Sequence, residues 1–116
     1  MSDIGIHTDN EIRTSPEAWS STLAMIDANV EQGRQLWKEA EEVVIAGCGS
    51  GQNAACAIAP FWQTLSGKTC RAVHASQLFL HRDSCLNGNR RTLVVLFSRS
   101  GATTESCRAQ QAAIDA

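Results

Sequence analysis

The chain has 116 residues, 43% apolar and 19% charged, with a net charge of −2. That balance suits a single folded domain and excludes an intrinsically disordered chain. Mild acidity, scattered basic residues (Arg90–Arg91 is the only adjacent pair) and no apolar run near the ~20 residues that cross a bilayer argue against nucleic-acid and membrane partners.

The opening from Met1 to Asn10 is polar and acidic and lacks the hydrophobic stretch of a secretory signal. Five cysteines (Cys48, Cys56, Cys70, Cys85, Cys107) form an odd set with no C-x-x-C pair. Neither a disulfide framework nor a zinc site fits that spacing, and most of these thiols fall in apolar runs. A reduced, cytoplasmic protein is the expectation.

Residues 1–42 read as a helical lead-in. Thr14-Ser15-Pro16-Glu17 has the form of a helix start, with a hydroxyl cap, an early proline and a glutamate placed to complete a capping box. Beyond it Trp19, Leu23, Ile26, Val30 and Trp37 recur at helical spacing and form one stripe, expected to pack on a domain or a partner subunit. Gly33 interrupts the stripe and predicts a split into two helices.

Residues 43–116 change period. Val43-Val44-Ile45-Ala46 is a short continuous apolar run, as in a strand covered on both faces. It ends in Gly47-Cys48-Gly49-Ser50-Gly51. A helix is predicted from Asn53 to Leu65, kinked or broken at Pro60 and closed by Gly67. A second strand over Thr69–His74, a short helix over Ser76–His81 and a loop over Asp83–Arg91 containing Asn87-Gly88-Asn89 follow. The third strand, Thr92–Phe97, runs into Ser98-Arg99-Ser100-Gly101-Ala102-Thr103, and a helix is predicted from Glu105 to Asp115. Alternating strands and helices predict an α/β fold with a doubly wound parallel sheet. With only three strands, the most apolar one is left open on one side, so self-association is expected, and either a partner or a longer chain would complete the sheet.

Ligands of open α/β sheets bind at the carboxyl ends of the strands. Two turns here lie at such ends, and both suit a phosphate. Gly49, Ser50 and Gly51 offer backbone amides at a helix start. Ser98, Arg99, Ser100, Gly101 and Thr103 offer hydroxyls and a guanidinium at another. Either turn alone would pass for ordinary helix capping. Two at neighbouring strand ends favour a phosphate clamp.

The Gly-Cys-Gly-Ser turn, then Val73-His74-Ala75-Ser76, then Ser98-Arg99-Ser100-Gly101-x-Thr103 resembles the sugar isomerase (SIS) domain family. Within it the chain resembles the isomerase half of glucosamine-6-phosphate synthase and the tagatose-6-phosphate and amino-sugar-phosphate isomerases and deaminases, in their N-terminal portion. Residues 10–19 also resemble the lead-in helix of those proteins. The resemblance implies a flavodoxin-like sheet, truncated after about three strands, and a sugar phosphate held by Ser98, Ser100 and Thr103 with the Arg99 amide. The family's first turn commonly reads Gly-Thr-Ser. Here Ser50 stands for the threonine, and Gly51 removes a hydroxyl. Gln77 stands where the family commonly has glutamate. The acid–base residues of the family lie in a half absent from this chain, and His74, His81 and Asp83 read as structural. No metal or organic cofactor is implied, and a homo-oligomer, or a missing C-terminal half, is.

Two other readings stay open. The Val44–Gly51 run also looks like the first motif of an S-adenosylmethionine-dependent methyltransferase. Ile45 stands where that family carries an acid, and no acid ends the second strand to hold a ribose, which counts equally against a dinucleotide site. A non-catalytic module that senses a sugar phosphate is the third reading.

Overall fold

The computed structural model describes residues 5–86 and 88–116. Asn87 of the expected turn and residues 1–4 lie outside that range. Among the described residues no helix is long and apolar enough to cross a membrane. The chain divides into two compact units, one reaching Gln35 and the other Leu36–Ala116.

The first unit is the body of α1 (Ile6–Glu39), and the sequence misplaces its start. Thr14, Ser15 and Pro16 lie inside the helix, not at its cap. The Thr14 hydroxyl donates back to Asn10 O at 3.0 Å and that of Ser15 to Glu11 O at 2.9 Å. These i−4 bonds are the helical alternative to capping for the same side chains. Pro16 is exposed, so the carbonyl of Ile12, which it cannot serve, lies on the watered side. An Asp9–Arg13 pair at 2.7 Å supports the turns ahead of it. Nor does Gly33 split the helix; one glycine costs a helix about 1 kcal/mol, and 34 residues absorb that. Trp19, Leu23, Ile26 and Val30 are exposed on their common stripe.

In the second unit the strands fall where the apolar runs predict. β1 (Glu42–Gly47), β2 (Thr69–His74) and β3 (Thr92–Phe97) form one parallel sheet in the order β2-β1-β3. Glu42 is in register with Thr69 on one side and Thr92 on the other. Every residue of β1 is buried, whereas β3, at an open edge, is half-buried throughout.

The strand period of two sends alternate β1 side chains to opposite faces. Val43 and Ile45 pack with Ala55 and Ala59 of α2 (Ser50–Ser66), and Trp37 and Trp62 join them edge to face at 5.4 Å. Val44 and Ala46 pack on the other face with Leu78 of α3 (Ala75–Leu80), Cys85 of α4 (Arg82–Cys85) and Ala109 of α5 (Thr104–Ile114). Helices cover both faces, so the sheet is doubly wound, with a helix leading in.

Two further expectations are corrected. Pro60 does not break α2, because it lies on the exposed side and the carbonyl it leaves, that of Cys56, is also on an exposed residue. The stretch expected as loop from Asp83 begins inside α4, whose single turn is anchored by Cys85 buried in the core. Gly67 ends α2 in the left-handed conformation at φ 69°, as predicted. Beside it, the Lys68 ammonium donates to Trp37 O and Ala40 O and lies 5.6 Å from the Trp37 ring centre, so a cation closes the C-terminal end of α1.

Candidate functional site

β1 leaves the sheet centre through α2 towards one edge, and β3 lies on its other side. The carboxyl ends of β1 and β3 therefore flank the switch point where open α/β sheets hold ligands. A cavity of about 260 Å³ lies there, lined by Cys48, Gly49, Ser50, Gly51, Phe97, Ser98, Arg99, Ser100 and Thr103. The two turns singled out in the sequence meet in this one cavity. Gly101 does not line it; that residue borders a separate groove along the open edge of β3.

Gly51 explains how the turns come so close. A Cβ there would lie 2.7 Å from Phe97 O, so the first turn of α2 can approach the end of β3 only as bare backbone. The hydroxyl that the sequence comparison finds missing at this position would have no room in this arrangement. Gly47 is tight for the same reason, since a Cβ there would lie 2.5 Å from the Gly51 carbonyl carbon.

In the second turn the Ser98 hydroxyl accepts from Gly101 N at 3.0 Å and that of Ser100 from Ala102 N at 3.3 Å. Each oxygen thereby anchors the loop, and each hydroxyl proton remains able to donate to an anion. Thr103 differs. Its hydroxyl donates to Ser106 Oγ at 2.6 Å, so it must turn before it could donate into the cavity. The Arg99 side chain is exposed at the rim and is the one charged group in the lining.

In the first turn the amides of Gly51, Gln52 and Asn53 donate to Cys48 O and Gly49 O. What this turn offers is chiefly the Ser50 hydroxyl and the positive end of α2. The lining contains neither carboxylate nor imidazole. His74 stands apart, with its Nδ1 3.0 Å from Ser76 Oγ. The arrangement can hold a small anion by neutral donors, one cation and two helix starts, and it offers no general base of its own.

The sequence reading passed over Cys48 as a site residue. Its sulfur lies 4.0 Å from Thr103 Oγ1, at the seam between the two turns. Its place inside the glycine turn was the available signal. No group of three or more metal-ligating side chains occurs among the described residues. Burial pushes the pKa of the Cys70 thiol up, opposed by the Ser66 hydrogen bond and the Lys68 charge.

No family model matches the chain. Similar proteins do exist. The D-galactosamine-6-phosphate deaminases AgaS of Escherichia coli O157:H7 and Escherichia coli are each 32% identical over 114 residues, covering 94% of this chain. The chain spans 30% of the length of those deaminases. The crystal structure of tagatose-6-phosphate ketose/aldose isomerase from Escherichia coli superposes with a TM-score of 0.77 at 29% identity, covering 93% of this chain and 31% of that one. Over nearly its whole length, the chain is therefore homologous to part of the sugar isomerase (SIS) family, among its sugar-phosphate isomerases and deaminases.

Proposed function

We propose that the chain binds the phosphate of a phosphorylated sugar or amino sugar, as the phosphate half-site of a ketose/aldose isomerase or deaminase. Residues 43–116 carry the site and residues 1–42 lead into it. The observation that carries this reading is the single cavity shared by the two hydroxyl-bearing turns, with a guanidinium and no carboxylate in its lining. Ser50, Ser98 and Ser100 donate to phosphate oxygens, Arg99 supplies charge or its amide, and Thr103 joins once its hydroxyl leaves Ser106. Gly49 and Gly51 give close backbone approach, and Gly101 lets the second turn close on Ser98.

The cavity is smaller than the ~300–1,000 Å³ of pockets for drug-sized ligands, and its size suits a phosphate with part of a sugar. Proton transfer between sugar carbons needs a base that this lining does not contain, so catalysis calls on groups outside the chain, from a further segment or another subunit. The same lack favours a second reading, a module that senses a sugar phosphate without converting it.

Titration with galactosamine 6-phosphate, tagatose 6-phosphate and the unphosphorylated sugars tests the proposal. Binding of the phosphorylated forms alone, lost in Ser98→Ala/Ser100→Ala with the fold intact, is the expected result. Undiminished binding by that double variant would falsify the clamp.

A further inference from the structure

Gln52, in the first turn of α2, has no part in the site as described above. Its side chain reaches the carbonyl oxygens of Gly47 and Val73, at the carboxyl ends of β1 and β2. With the amide nitrogen turned towards them, Nε2 donates to Val73 O at 2.8 Å and to Gly47 O at 3.2 Å. The opposite orientation would set the amide oxygen against two carbonyl oxygens, so the neighbours dictate which way the group points. The Gln52 backbone amide meanwhile donates to Gly49 O at 3.1 Å. One residue thus ties the glycine turn to itself through its main chain and to two strand ends through its side chain.

We propose that Gln52 is a positioning residue for the anion site: it fixes Gly49 and Ser50 against the sheet so that the Ser50 hydroxyl is held ready at the cavity. This inference rests on the phosphate-site reading. Ser50 opens α2, two positions before Gln52, so a first turn that could rock on the strand ends would carry its hydroxyl with it. The tight fit of Gly47 against Gly51 and Gln52 N prevents the turn from moving inward. The Gln52 side chain prevents it from moving away. Preorganised donors bind more tightly because the ligand need not order them.

Gln52→Met keeps the length of the side chain and removes both donors. In the full chain, backbone amides from Ser50 to Asn53 should exchange faster with solvent. The Kd for galactosamine 6-phosphate should rise about tenfold, because the ligand must then order the turn, and the two lost hydrogen bonds should lower the unfolding midpoint modestly. If Gln52→Met fails to fold, Gln52→Ala is read in the same way. Unchanged exchange in that turn, or unchanged affinity in a folded variant, overturns the positioning role. A wild-type chain that binds neither galactosamine nor tagatose 6-phosphate overturns the phosphate-site reading and, with it, any role of Gln52 in binding. Wild-type binding with equal affinity in the variant overturns the Gln52 inference alone.

Discussion

The two ends of the sheet treat polar groups in opposite ways. At the amino end Glu42 is buried, its side chain 5% exposed, between Arg71 at 3.5 Å and Arg90 at 3.8 Å, with the Thr92 hydroxyl donating to it at 2.9 Å. Arg71 also donates to Cys85 O at 2.8 Å, and Glu41 accepts from Arg91 N. Charge meets charge there, and all three strands are joined by side chains. At the carboxyl end, hydroxyl-bearing residues and one exposed guanidinium line a cavity with no acid in its lining. A folded chain gains from satisfying polar groups internally, and the proposed phosphate site lies at the end with fewer internal charge partners.

That contrast can be broken at either end, and the largest effect is expected from Gly51→Val. Its Cβ would collide with Phe97 O, so stability should fall by about 2–3 kcal/mol in urea melts and sugar-phosphate binding should vanish. Wild-type stability in this variant would mean that the turns are not truly held together. Glu42→Ala should cost about 1–2 kcal/mol, a figure kept low because Arg71 and Arg90 are 39% and 52% exposed and water screens them. Its ligand affinity should match the wild type, and a loss of binding would show that the two ends are coupled. Lys68→Met removes the cation that closes α1 and should cost about 1 kcal/mol by thermal unfolding. The smallest effect concerns pH. Burial raises the Cys70 pKa, so the folded state keeps a proton that the unfolded state gives up. Its contribution is complete below the ordinary thiol value of 9.0 and declines as pH rises from there towards the folded value. Stability measured against pH should show this decline, and Cys70→Ala should flatten it.

Much of the fold was legible because burial imposes simple patterns. Thr69–His74 and Thr92–Phe97 begin and end where the change of period predicts, and Gly67 marks the end of α2. The failures share a cause: residues read by local preference were overruled by their surroundings. Thr14 and Ser15 can cap a helix or bond back to it, and only the helical turns ahead of them decide between the two. An interior proline leaves one carbonyl without its helical partner, and at Pro16 and Pro60 that carbonyl is on an exposed residue, where water can serve it and the helix runs on. α4 forms because Cys85 enters the core, which local propensity cannot foresee. At the candidate site the two turns were legible as motifs. Their meeting was not, since it depends on the bare Gly51 backbone passing Phe97. Gln52 was invisible for a similar reason, because the carbonyls it reaches belong to two different strands.

The central strand is also the first to be synthesised. Arg71, which pairs with Glu42 from β2, follows it by 29 positions, and Thr92 of β3 follows it by 50. Closing the longer loop costs only about 0.5 kcal/mol more, so equilibrium hardly separates the two pairings. Timing does. On a growing chain β2 can zip onto β1 while the other edge of β1 still waits for its neighbour. The cavity between the two turns, which needs the turn after β3, is then the last part of the sheet end to take shape, and the proposed phosphate site could form only after β3 has docked.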